Sequence, residues 1–534
     1  MRSLSKSFAL LLALVTTFAF SAAVTAQSPT EPGGRVVLVL PFDNHSGNPS
    51  LNWIGDSFPD TFNKRLNSAG FLTISHDDRA FAYDHLGLPV DFRPTRATTI
   101  RIAQQLDANF VIIGSFNVVN NRISIQTKVL SIDGLRLSPP IEDSAELMRL
   151  FDAENAVAWK VAGVLDPHFS VSEQTFLAAP GAVPLPAFED YIRGINAATD
   201  VERLKRLKDA VTLAPDYAAA LLALGKAQYA ERDFEAADAT LAKVPKTDRL
   251  ALESNFYLGL ARFNSAHYAG AQQAFEFVAG RLPLPEVVNN DGVALSRQGK
   301  DAVAQFRRAS AADPSDEDYH YNLAIALFRR GDRAGATAEV ELALKLKPTD
   351  NEAVELRSQL KRTAPGTHLD ESANSGFSPL ERIRRNYSET GFRQVEFQLD
   401  QMRAARMEML PPEQRAVEYT QLGREYLSEG LLPEAETQFQ FALAASPNSA
   451  DAHAGMAQLR EASGDAAKAR DEAKTSLIMK PNTAALLVLA RLDLAAKQLA
   501  ASAEDVSRAL KIEPTNADAI ALRLVLQQRG QVVR

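Results

Sequence analysis

Histidine and carboxylate side chains crowd one short stretch of the chain: His76, Asp77, Asp78, Asp84 and His85 fall within ten residues. Imidazole nitrogens and carboxylate oxygens are the donors that hold zinc and similar cations, so metal binding is the first chemistry to weigh. No helical or hairpin register aligns the five, and a solvated loop after a strand accounts for them more simply. A second candidate is Pro41-Phe42-Asp43-Asn44 with Ser46-Gly47, whose backbone N–H groups could cradle an anion. A turn that merely leaves a sheet has the same composition. The signatures of catalysis are missing. Gly299-Lys300 is followed by Asp301 and lacks the earlier glycine of a phosphate loop. Neither a Gly-x-Ser-x-Gly elbow nor a His-Glu-x-x-His helix occurs. With no cysteine in 534 residues, disulfides, thiolate metal sites and a cysteine nucleophile are excluded. The expectation is a protein that is not an enzyme and carries no cofactor or metal. An enzyme with an unrecognised site in the N-terminal unit is the weakest alternative.

Binding chemistry is better represented, and it follows a period. Pro447, Pro481 and Pro514 are spaced by 34 and 33 residues. Before the first come Leu422-Gly423, Tyr426, Gly430, Ala435, Phe439 and Ala442; before the second, Met456-Ala457, Leu459, Gly464, Ala469 and Ala473 fall at matching offsets. Two helices bury their apolar faces only where their backbones approach closely, so small residues such as Gly423 and Ala435 belong at the crossing. One such hairpin cannot bury enough surface alone, and neighbours must stack on it. This 34-residue pattern resembles the tetratricopeptide repeat, which implies an all-α superhelix with a concave groove.

Earlier in the chain the same pattern returns around Leu224-Gly225, Leu258-Gly259, Gly292 and Leu323-Ala324. Residues 187–361 read as a first array of about five repeats, with a degenerate first repeat from Phe188 to Pro215 and a cap helix from Asn351 to Lys361. Residues 362–379 have loop composition, and 380–410 read as a strongly helical bridging segment. A second array of three repeats spans 415–514, and 515–534 form a C-terminal capping helix. In the family the first helix of each repeat lines the groove. The resemblance therefore places there Lys226 and Tyr229; Phe256, Leu260 and Phe263; Asn289 and Val293; Tyr321, Ile325 and Phe328; and Thr420, Arg424 and Leu427. It implies a protein or peptide ligand with apolar anchors; packing of the same aromatics between repeats is the alternative. The basic and asparagine set by which some relatives clamp a terminal carboxylate is matched by Asn322 alone, so capture of a chain end is not expected.

The N-terminal third is built differently. Val36 to Phe42 is a continuous apolar run, the pattern of a strand buried on both faces. A helix from Trp53 to Leu66, a strand from Phe71 to Ser75, a helix from Thr98 to Leu106, strands Phe110–Phe116 and Arg122–Val129, and a helix from Glu146 to Leu165 follow. This order predicts an α/β domain, a mixed sheet with flanking helices, over residues 35–169, joined by a Pro/Gly-containing linker at 170–186. Val37-Leu38-Val39-Leu40-Pro41-Phe42-Asp43-Asn44, Trp53-Ile54-Gly55-Asp56 and Ala108-Asn109-Phe110-Val111-Ile112-Ile113-Gly114-Ser115 resemble the amino-terminal α/β domain of TolB. That module commonly precedes tetratricopeptide arrays in bacterial proteins and usually has no catalytic role there.

Residues 1–26 read as a signal peptide: Arg2 and Lys6, an apolar run from Phe8 to Phe20, and Val24 and Ala26 before the cleavage point. A short polar linker covers 27–34. The expected location is periplasmic or secreted, with no lipid-modified cysteine and no stable membrane insertion after cleavage; anchorage by an uncleaved N-terminal helix is the alternative. Lys plus Arg number 58 against 66 Asp plus Glu, and a net charge of -8 gives no general pull toward nucleic acid. Together these observations predict an exported scaffold of the bacterial cell envelope that binds another protein. A homo-oligomeric subunit of an envelope or secretion complex, assembled through the α/β domain, is the alternative.

Overall fold

The computed structural model describes residues 36–89, 92–178, 183–363, 378–385 and 401–533. The expected leader and the linker at 27–34, most of the 362–379 loop and residues 386–400 of the bridging segment lie outside the described residues.

Strand β1 (Val36–Val39) runs parallel to β3 (Leu72–Thr73) on one side and β4 (Phe110–Val119) on the other. Its side chains alternate between two cores. Val37 and Val39 join Phe58, Phe62, Val157 and Val161 on one face, while Leu38 and Leu40 join Ile74, Tyr83 and Ile102 on the other. Both faces being covered is why the strand reads as unbroken apolar sequence. Asn120 and Asn121 take φ of 49° and 59°, the left-handed pair that a tight hairpin requires, and turn β4 into antiparallel β5 (Arg122–Ser131). Short β2 (Asp43–Asn44) pairs with β4, and β6 (Arg136–Leu137) and β7 (Ile141–Glu146) pair with β5, completing a mixed seven-stranded sheet.

Two sequence expectations need correction here. The acidic stretch is not a loop but a helix, His76–His85: Ser75 caps it by accepting the Asp78 N–H, and it buries Arg79, Ala82 and Tyr83. Its carboxylates and histidines lie on the outer side and Arg79 joins the buried one, which hid the buried face. The 170–186 linker contains the helix Glu173–Leu177, capped by Ser172, with Thr175 and Phe176 fully buried. Phe176 belongs to the same core as the sheet's inner face, and that core runs on through Phe188, Tyr191, Leu207 and Leu224 of the following helices. The sheet and the first helical hairpin are packed as one body.

Glu154 sits inside this core with no exposure, accepting hydrogen bonds from Ser57 Oγ at 2.5 Å and Thr61 Oγ1 at 2.6 Å. Burial, reinforced by Asp60 and opposed by those two hydroxyls, raises it from the ordinary 4.5 to about 7. Between those values the folded chain holds a proton that the unfolded chain has lost, so stability falls as pH rises from about 4.5 through 7, by about 3 kcal/mol in all. Trp53 and Trp159 are the protein's two tryptophans and both lie in this region, so their fluorescence reports it. In urea titrations at pH 5 and pH 8 the native chain is expected to lose stability at the higher pH and Glu154→Gln to lose little. Equal pH slopes for the two would contradict this account of Glu154.

Helical hairpins follow, among the described residues eight in all: Leu185–Ile195 with Asp200–Leu213, Ala218–Ala230 with Phe234–Leu241, Ala251–Asn264 with Tyr268–Ala279, Pro285–Arg297 with Val303–Ala312, and Glu317–Arg329 with Arg333–Leu346; then Pro412–Ser428 with Leu432–Ala445, Ala450–Ala462 with Ala466–Met479, and Thr483–Ala495 with Leu499–Ile512. Asn351–Arg362 and Ala517–Gln528 end the two runs. A Cβ on Gly423 would enter the Phe439 ring, and one on Gly259 would enter Phe275, so only glycine lets these helices approach as they do. A histidine brace also repeats. His320 bridges Glu339 and the Pro314 carbonyl, and His453 bridges Glu472 and the Pro447 carbonyl, at identical sequence offsets.

The second run of hairpins packs back on the helix at Glu173–Leu177. Arg460 Nη2 meets Glu436 at 2.6 Å and Arg460 Nη1 reaches Ser172 Oγ and Thr175 Oγ1, while Gln440 accepts from the Ser170 hydroxyl and donates to the Ser170 carbonyl.

Candidate binding groove

While 401–408 are helical as expected, the helical expectation for 380–410 fails at its start, since residues 378–385 form no helix. They lie extended across the first helices of the fourth and fifth hairpins, and the helices supply the partners their backbone would otherwise find in its own turns. Asn322 accepts the Arg382 N–H at 2.7 Å and donates to the Arg382 carbonyl at 2.8 Å. Asn290 does the same for Arg384, at 2.8 and 2.7 Å. Asn289 donates to the Arg382 carbonyl at 3.0 Å and accepts from Asn322, locking the set. All three asparagines have no exposure. Side-chain amides offering one donor and one acceptor have replaced a neighbouring β-strand.

An extended segment sends alternate side chains to opposite walls. Arg382 and Arg384 go to an acidic wall. The Arg382 guanidinium bonds Asp318 at 2.8 Å, Asp350 at 2.6 and 2.8 Å and Glu352 at 2.7 Å, and lies 4.0 Å from the centre of the Tyr321 ring. Arg384 meets Asp316, Asp318 and the Tyr319 ring. The Arg382 hydrogen bonds hold Asp350 below the usual carboxylate range, against the effect of its burial. On the other wall Glu381, its side chain fully buried, is bound by Ser296, Arg329 and Arg297. Ile383 packs on the two apolar clusters beneath. Arg329 and Arg297 also donate to the carbonyls of Pro379 and Glu381.

The residues that the repeat pattern assigned to a groove are distributed as follows. Asn289 and Tyr321 touch the segment directly. Phe256 and Leu260 belong to one of the clusters under Ile383, and Val293, Ile325 and Phe328 to the other; all five are buried, and Phe263 packs against both clusters. Lys226 bonds Asp77 and Glu253, and Tyr229 packs on Tyr257 and Phe234. In the second run, Thr420 bonds the Ala416 carbonyl of its own helix, Arg424 pairs with Asp451, and Leu427 packs on the Leu432, Phe439 and Met456 cluster. The sequence reading missed Asn290, the acids Asp316, Asp318, Asp350 and Glu352, and the segment itself. A signal for Asn290 was present: like Asn322 before Ala324, it stands two residues before the small crossing residue Gly292.

The other chemistries find their groups engaged. His76 contacts Asp77 and Asn196, Asp78 bonds Ser75, and among the described residues no group of three or more His, Cys, Asp or Glu side chains could hold a metal ion. In the Asp43–Gly47 turn the Asn44 side chain takes the Ser46 N–H and hydroxyl and donates to Asn48, so the turn is closed on itself. Among the described residues no helix is long and apolar enough to cross a membrane.

A family profile described as Tetratricopeptide repeat matches residues 293–351 and 420–482. These stretches are tetratricopeptide repeats. The first match includes Asn322, Arg329 and, of the acidic wall, Asp316, Asp318 and Asp350, while Asn289, Asn290 and Glu352 lie just outside it; repeats of this kind mediate contacts between proteins. Among solved structures the chain is similar to MamA from Desulfovibrio magneticus RS-1, at 17% identity over 34% of this chain and 99% of that one, TM-score 0.29. It is similar to YrrB, titled a TPR protein with an unusual peptide-binding site, at 16% identity over 39% and 100%, TM-score 0.29. It is also similar to the C-terminal domain of LpoB from Escherichia coli, at 21% identity over 25% and 93%, TM-score 0.18. A curated relative from Rhizobium meliloti (strain 1021), carrying the provisional name adenylate cyclase 3, is 24% identical over 212 residues, 37% of this chain. The match spans about a third of that relative's length, 33%.

Proposed function

We propose that this protein is a non-enzymatic scaffold that holds an extended segment of a partner protein in the groove of its first tetratricopeptide array. The observation that carries the reading is the pairing of Asn290 and Asn322 with both backbone groups of one residue each, a mode of recognition that any extended peptide can satisfy. The groove is built to receive chain, and here it receives its own. The charged start, apolar run and small-residue end of residues 1–26 support export to the bacterial envelope, periplasmic or secreted. The parallel β3-β1-β4 core with its antiparallel extension supports the TolB-like reading of the N-terminal domain.

The test uses the full chain with Glu381→Ala, Arg382→Ala and Arg384→Ala, which removes the resident segment's contacts with both walls and weakens its hold on the groove, as cross-linking bait in an extract of the source cells. A partner cross-linked to residues 285–362 by this variant, and lost when Asn290→Ala and Asn322→Ala are added without change in circular dichroism, is the expected result. Capture indifferent to the two asparagines would remove the groove from the function.

A further inference from the structure

The asparagines read backbone and leave side-chain preference to the two walls. We propose that the groove selects an extended segment of pattern Arg-aliphatic-Arg from a partner protein, and that residues 381–384 hold the same site in cis as a competitor. This rests on the peptide-groove reading above and adds to it a ligand class and a mode of regulation.

Four carboxylates, Asp316, Asp318, Asp350 and Glu352, converge on the space that the two guanidinium groups fill. With that space empty they would face one another without the cations that now separate them, so the wall requires a cationic occupant. Its geometry asks for arginine in particular. Asp350 takes two N–H groups of Arg382 through its two oxygens while Tyr321 stacks on the guanidinium plane; a lysine ammonium has neither the fork nor the plane. The second pocket, Asp316 and Asp318 beside Tyr319, sits two residues further along the strand, the spacing that returns a side chain to the same wall. The residue between must turn to the apolar clusters that Ile383 covers, and the residue before to Ser296, Arg297 and Arg329, where a carboxylate fits. The wanted pattern is thus acid, arginine, aliphatic, arginine.

Because the occupant belongs to the same chain, its return is intramolecular, at an effective concentration on the order of millimolar. A partner must match the pattern well or arrive when the segment is held elsewhere.

The test is fluorescence anisotropy with a labelled peptide carrying the sequence of residues 379–385. It is titrated with the native full chain and with the full chain bearing Glu381→Ala, Arg382→Ala and Arg384→Ala. The variant is expected to bind at least tenfold more tightly than the native chain, and a peptide with lysine at both wall-facing arginine positions is expected to bind the variant at least tenfold more weakly. Equal binding by native chain and variant would overturn the competition in cis. Equal binding of the arginine and lysine peptides would overturn the ligand class while leaving the groove standing. Adding Asn290→Ala and Asn322→Ala to the variant separates the two levels: if peptide binding is unaffected, the groove reading itself fails. Circular dichroism checks each variant, and the peptide series on the triple variant decides the ligand class whatever the asparagine changes do to folding.

Discussion

Trypsin will cut after Arg382 and Arg384 about a hundredfold faster once Asn290 and Asn322 are both alanine. In the native chain these peptide bonds are held flat in the groove, and a protease needs them released. The double change removes four side-chain-to-backbone hydrogen bonds and strips Asn289 of the partner it accepts from. At a net ~1 kcal/mol for each ordinary bond, and somewhat less than full additivity, about 3 kcal/mol of holding energy is lost. That corresponds to a hundredfold rise in the released population, which proteolysis follows when release and return are fast. Unchanged cleavage at Arg382 and Arg384 would mean that the asparagines do not hold the segment.

Arg460→Ala will destabilise the second array by about 3 kcal/mol or more. Glu436 has no exposure, and its charge is met by Arg460 at 2.6 Å and by the N–H and hydroxyl of Ser172. Removing the guanidinium leaves a buried carboxylate without its counter-charge and deprives Ser172 and Thr175 of a donor. The expected loss lowers the melting temperature of an array of this size by about 10 °C or more, read by calorimetry of the full chain. Glu436→Gln added to Arg460→Met should recover much of it, because no unpaired charge then remains. A native melting profile for Arg460→Ala would show that water, not Arg460, satisfies Glu436.

What could be read in the sequence was whatever is local and repeated. Gly423 and Gly259 mark helix crossings because a Cβ there would strike a ring, and that constraint recurs every repeat, so the period is visible without coordinates. Strand β1 was visible because both its faces are buried. The helix at His76–His85 was not, since its buried side is only Arg79, Ala82 and Tyr83 and the rest of it is charged and wet. Strand β7, Ile141–Glu146, is half-buried and largely acidic, without the alternation that marked β5. The groove was half legible. Spacing placed Tyr321 and Asn289 on the correct helix faces, but spacing cannot say what covers a face, and Phe256, Leu260, Val293, Ile325 and Phe328 are buried in the clusters on which Ile383 packs. The segment itself was misread as helix. Leu380 to Arg385 has helical composition, and local preference lost to three asparagines some sixty to ninety positions away in sequence, hydrogen-bond partners that no window of residues contains.

The most direct test of the central claim, that this groove grips an extended backbone, is amide hydrogen exchange read by mass spectrometry on peptides spanning 378–385. The Arg382 and Arg384 N–H groups donate to Asn322 and Asn290, so the native chain should protect them at least a hundredfold over the Asn290→Ala, Asn322→Ala variant, with the rest of the array exchanging alike in both. Exchange of both amides at the free-peptide rate in the native chain would contradict the account.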